Sequence, residues 1–162
     1  MVLDISSCTQ TLKSYGKMLS EENKQKFDGL KIIDSIEYLH DYILPRVSVT
    51  NKKKSIVLHP VCSIQKMDGL QVKFSNIAEH FSEEVTIPLF SGCCGMAGDR
   101  GFLHPELTSS ATRFEAKEVK NKCFDGYYSS SKTCEVALSD AVGQNYYSIL
   151  KLVDECCSSQ AS

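Results

Sequence analysis

Short apolar runs separated by helix-length segments constrain this chain more than any other feature. Ser55-Ile56-Val57-Leu58 runs straight into His59-Pro60, Glu84 to Pro88 forms a second short run, and Tyr127-Tyr128-Ser129 a third. Runs of three to five residues rich in β-branched and aromatic side chains, ending in loop residues, read as buried strands. Between them, Leu70 to about Phe81 and Pro105 to about Lys122 carry helical spacing, the second with proline in its first turn and Glu106 near its positive end. Strand–helix alternation of this kind predicts an α/β fold with a mainly parallel sheet flanked by helices, from about Lys52 onward.

The flanking regions read as helical. Leu12, Tyr15, Met18 and Leu19 form one stripe, and Ile32, Ile33, Ile36, Leu39, Ile43 and Leu44 a second, which Pro45 and the polar segment after it end. Cys134 to Ala141 predicts a brief helix after the Asp125-Gly126 turn, and about Asn145 to Cys157 a last one with Ile149, Leu150, Leu152 and Val153 largely on one face.

Eight cysteines in 162 residues need a reason. A chain of this length can bury a sizeable core without cross-links. No apolar stretch approaches a membrane span, and the N-terminus lacks the regions of a signal peptide. The chain therefore reads as cytoplasmic, with peripheral association at the inner face of the membrane left open. A reducing compartment disfavours disulfides and leaves metal binding, redox chemistry or burial. A net charge of −2 offers no field for nucleic acid, and the one charge run, Lys52-Lys53-Lys54, reads as a solvated approach to a strand.

Cys62, Cys93, Cys94 and Cys134 all fall in loops or at helix starts after predicted strands, where side chains converge at the edge of a parallel sheet. Adjacent Cys93-Cys94 lies between Gly92 and Gly95, and only a sharp backbone turn can send both thiols to one place; glycine permits that turn. Thiolates are soft ligands that select iron–sulfur clusters or zinc over magnesium or calcium. The alternative is burial as small hydrophobes. Cys123 and the pair Cys156-Cys157 read as packing or surface thiols. His59 is either a ligand or a hydrogen-bonding residue of its loop, His104 is expected to orient the glycine-rich loop, and Asp99 and Arg100 either pair with one another or meet a redox partner.

Thirty residues separate Cys62 from Cys93, and thirty-five separate Gly95 from Ser131. This spacing resembles the cysteine-rich CCG domain of heterodisulfide reductase B-type subunits, of the C subunit of anaerobic glycerol-3-phosphate dehydrogenase and of glycolate or lactate oxidase iron–sulfur subunits. There a cysteine, a CCG and a CxxC follow one another at comparable distances. His59-Pro60-Val61-Cys62, Cys93 to Phe102, His104-Pro105-Glu106-Leu107 and Ser131 to Glu135 look most like the C-terminal region of FAD-linked D-lactate or D-2-hydroxyacid dehydrogenases, and the likeness covers nearly the whole chain. The resemblance implies an iron–sulfur cluster on Cys62, Cys93, Cys94 and Cys134, with zinc or no metal as alternatives in the isolated chain. It implies FAD in an N-terminal part, and FAD and ferredoxin-like domains and an electron acceptor as partners. Ser131 stands where that pattern has a cysteine, so a five-cysteine cluster would need the serine hydroxyl or an outside ligand.

Ser7-Cys8-Thr9-Gln10-Thr11-Leu12 echoes Thr133-Cys134-Glu135-Val136-Ala137-Leu138, each continuing toward a glycine, Gly16 or Gly143. Residues 1–50 are then expected to be the tail of a preceding cysteine-rich repeat and a helical linker, and residues 51–162 the C-terminal CCG domain. Two functions compete: a module passing electrons from flavin to an acceptor, and a cluster-free domain serving structure or oligomerisation. A thiol-redox role for Cys93-Cys94 is a third reading. No dinucleotide fingerprint or catalytic acid–base pair is visible, so the isolated chain is expected to be inactive toward D-lactate even with added FAD.

Overall fold

The computed structural model describes residues 1–157. Its centre is a parallel sheet of β3 (Lys53–Leu58), β4 (Ser82–Thr86), β5 (Gly126–Ser129) and β6 (Tyr146–Ser148), in the order β4-β3-β5-β6. Strand alternation divides the core between the two faces of the sheet. Ile56, Leu58 and Tyr128 point one way, into a cluster with Phe74, Ile77 and Phe81 of α4 (Leu70–Phe81) and Leu152 of α8 (Ile149–Cys156). Val57 and Tyr127 point the other way, against Ala116 and Val119 of α6 (Pro105–Lys120) and Leu138 and Val142 of α7 (Lys132–Val142). Covering both faces with helices is what a buried parallel sheet requires, and the α/β architecture with a parallel sheet is the one the alternation predicted.

Helix α4 spans the residues read from its periodicity, starting after Gly69, whose φ of +72° suits a residue without Cβ. The last helix differs from expectation. Its first residues, Tyr146–Ser148, form β6, because a tyrosine run beside β5 gains more from ladder bonds and from Tyr127–Tyr146 ring packing than from an extra helical turn. Ser148 then caps α8 by accepting from the Leu150 N–H at 3.3 Å.

The first fifty residues are not wholly helical. β1 (Val2–Leu3) and β2 (Ile33–Asp34) pair in parallel, with α1 (Ser6–Ser14) and α2 (Glu21–Asp28) between them and α3 (Ser35–Tyr38) after β2. A π-turn over Leu39–Ile43 and a short turn containing Pro45 finish that segment. Two-residue strands carry too little periodicity to be separated from a helical stripe by pattern alone. Ile36 and Leu39 join the main core, and Lys73 of α4 pairs with Asp41, so this segment is fastened to the larger sheet.

The unit β1-α1-β2-α3 reproduces β5-α7-β6-α8. In each, two parallel strands are joined through helical structure, α1 and α2 in the first unit and α7 in the second, and the second strand ends in a residue that caps the next helix: Asp34 accepts from Ile36 N–H as Ser148 does from Leu150. Leu3 pairs with Asp34 as Ser129 pairs with Ser148, and Cys8 and Cys134 each stand five residues further along the chain.

Candidate metal centre

In the order β4-β3-β5-β6, the chain leaves β3 toward β4 through α4 on one face and leaves β5 toward β6 through α7 on the other. The loops after β3 and β5 therefore part at one point of the sheet's C-terminal edge, where parallel α/β folds make a crevice. His59 to Cys62 follow β3, Ser130 to Cys134 follow β5, and the glycine-rich loop from Ser91 comes from β4 to meet them.

That loop turns on left-handed backbone. Gly95, Ala97 and Gly98 have φ of +75°, +43° and +79°, and a Cβ on Gly95 would stand 2.7 Å from the Leu107 carbonyl oxygen. Gly95 is thus a close-approach glycine that lets the loop lie on α6, and Ala97 holds a conformation that costs a side-chain-bearing residue energy. Gly101 belongs to the short helix α5 (Arg100–Leu103) and not to the loop, packed so that a Cβ would meet the Met96 sulfur.

The loop buries one cysteine of its pair and exposes the other. Cys94 is buried and its Sγ lies 2.9 Å from Sγ of buried Cys134 at the first turn of α7; Cys93 is exposed, with the Gly95 N–H directed at its sulfur at 3.5 Å. Exposed Cys62 lies beside Cys93, whose sulfur, after burial, is the next cause of a thiol pKa above the ordinary value at Cys62. Cys94 is pulled down to about 6, chiefly because the Cys134 thiol donates to it, with backbone N–H groups and the nearby His59 ring adding to the effect. Cys134 moves the other way, well above the usual thiol range, because it holds that hydrogen, is buried, and feels Cys94, Cys62 and Cys93. All four sulfurs predicted from sequence act on one another, as a contacting pair, Cys94 with Cys134, and a more open pair, Cys62 with Cys93. As they stand, no three His, Cys, Asp or Glu side chains among the described residues form a group that could hold a metal ion.

Other expectations resolve individually. Ser131 is buried, but its hydroxyl bonds to Thr133 Oγ1 at 3.2 Å. His104 is exposed, and its ring pairs with Glu106 of α6 and not with the loop it was expected to orient. Asp99, at the N-cap of α5, and Arg100, its first residue, are both exposed and take part in no ion pair among the described residues. Cys8 and Cys123 are exposed, while Cys156 is buried and donates to the Phe81 carbonyl.

Sequence reading missed Glu115. It lies on α6, buried, with both carboxylate oxygens on Nδ1 of wholly buried His59, at 2.8 and 3.0 Å. The His59 backbone is fixed as well, since its N–H donates to the Tyr128 carbonyl and its carbonyl accepts from Ser129 Oγ. A glutamate inside an amphipathic helix pattern reads as solvated, and only the buried Thr112 and Ala116 beside it hint at which face it takes.

Fold and site together define a parallel α/β domain that gathers cysteines at the crevice of its sheet. No family model matches the chain. It is 26% identical, over 107 residues, to the glycolate oxidase iron–sulfur subunit of Escherichia coli (strain K12), a match covering 63% of this chain and 26% of that subunit. The chain thus spans about a quarter of that relative's length.

Proposed function

We propose that this chain is the C-terminal CCG-type iron–sulfur module of an FAD-linked D-lactate or D-2-hydroxyacid dehydrogenase, relaying electrons from flavin to an acceptor. The observation carrying the reading is the Cys94–Cys134 contact at the sheet crevice, with Cys93 and Cys62 beside it. The likeness to an iron–sulfur subunit supports it. Cys62, Cys93, Cys94 and Cys134 would hold the group, and a bound iron–sulfur cluster supplies one-electron uptake and release. The donor chemistry fits, because two sulfurs are already packed together and the other two are exposed and can turn toward them. Gly95 keeps the loop against α6, and the helices exclude water from the inner pair.

In this reading residues 1–50 are the tail of a preceding cysteine-rich repeat and its linker, which accounts for the duplicated β-α-β-α unit. FAD and a ferredoxin-like domain belong to the rest of the protein. Leu89, Phe90, Phe102 and Leu103, the exposed apolar chain neighbours of the glycine-rich loop, supply the surface from which an electron partner reaches the cysteines.

A second reading is a cluster-free domain serving structure or oligomerisation, favoured by the absence of a ready three-ligand group among the described residues. Anaerobic reconstitution with iron and sulfide separates the two. The module reading expects stoichiometric iron and sulfide, a charge-transfer absorption bleached by reductant, and loss of both in Cys94→Ser. The same preparation with added FAD is expected not to oxidise D-lactate. A wild-type chain that takes up neither iron nor zinc would establish the cluster-free reading instead.

A further inference from the structure

His59 is a buried residue with one nitrogen committed and one free. Facing two oxygens of Glu115, Nδ1 is the ring nitrogen that carries hydrogen. Nε2 is buried and meets no hydrogen-bond partner among the described residues. Leaving such an atom unpaired costs on the order of 1–3 kcal/mol, so its isolation asks for an explanation. The ring directly follows β3, in the loop that carries Cys62, and its backbone is bonded to β5, whose following loop carries Cys134. A histidine whose Nδ1–H is held by a carboxylate, with Nε2 turned to a metal, is the usual way proteins orient an imidazole ligand.

We propose that Nε2 of His59, oriented by Glu115, is a nitrogen donor to the cysteine site, giving a mixed thiolate–imidazole centre in place of an all-cysteine one. This rests on the metal-binding reading of Cys62, Cys93, Cys94 and Cys134. It also accounts for Ser131: with its hydroxyl bonded to Thr133, that residue does not replace the absent thiolate, and His59 does. Imidazole and thiolate together suit zinc or an iron of an iron–sulfur cluster.

Wild-type protein is loaded anaerobically, in one arm with iron and sulfide and in another with zinc, and examined by X-ray absorption at the metal edge. A nitrogen scatterer is expected beside sulfur in whichever arm is taken up. It should vanish in His59→Ala, with zinc affinity falling on the order of 10–100-fold, and Glu115→Gln should weaken affinity in the same range while keeping the nitrogen. Should His59→Ala not fold, the triple variant His40→Gln, His80→Gln, His104→Gln leaves His59 as the sole histidine and must retain the nitrogen signal. Full metal uptake with sulfur-only coordination overturns this inference and leaves the cysteine site standing; no uptake of either metal overturns both.

Discussion

The two β-α-β-α units of this chain share strand pairing, helix capping and the position of a cysteine, yet treat that cysteine differently. Cys134 is buried against Cys94, whereas Cys8 is exposed, among Leu3, Thr11, Leu12 and Tyr15. What differs is the neighbour. In the C-terminal unit β3 lies beside β5 and the glycine-rich loop folds over the start of α7; in the N-terminal unit β1 pairs with β2 alone. A β-α-β-α unit thus presents a cysteine, and a third strand with its loop turns it into part of a site.

Breaking the loop should erase this difference most strongly. Gly95→Ala adds about 1–2 kcal/mol for a left-handed residue bearing Cβ and about 1–3 kcal/mol for overlap with the Leu107 carbonyl. Gly98→Ala, where a Cβ meets nothing within 4 Å, should show only the first cost. Urea unfolding of both variants measures the gap, and equal destabilisation would mean that the loop does not rest on α6 as described.

The cysteines themselves come next. Cys134→Ala should cost about 1–3 kcal/mol, because it leaves a buried, bonded pair broken, while Cys8→Ser should stay within about 0.5 kcal/mol. In the wild-type protein the Cys94 thiol is pulled down to about 6. Removing the Cys134 donor should move that titration upward, toward the ordinary thiol value of 9.0, as read from ultraviolet thiolate absorbance. A titration unchanged in Cys134→Ala, or one shifted by Cys8→Ser, would dissolve the contrast between the units.

The smallest effect concerns how α8 is tied to the sheet. Glu155 accepts from Lys53 and Tyr128, and Lys53 first among these holds its carboxyl below 4.5. With the folded pKa depressed, the stabilisation is present above pH 4.5 and is lost as pH falls through the folded value. For a partly exposed pair it amounts to about 0–1 kcal/mol. Glu155→Gln should therefore lower stability slightly at neutral pH and remove the acid-dependent part of the loss, which thermal melts across the acid range would resolve.

Much of this molecule is legible without coordinates. The apolar run Ile56-Val57-Leu58, the 3.6-residue period of Leu70–Phe81, and Pro105 opening α6 are local signals, so the α/β class and the loops bearing the four cysteines follow from sequence. β1, β2 and β6 do not, because strands of two or three residues are stabilised by partners distant in the chain and leave almost no periodicity of their own. The same holds at the site. Residue type and glycine spacing nominate Cys62, Cys93, Cys94 and Cys134, but which sulfurs touch, and that Glu115 reaches across 56 positions to hold His59, are set by how α6 and α7 lie on the sheet. Hydrogen bonds of such sequence separation are properties of packing: the chain encodes them only through the fold that brings their partners together.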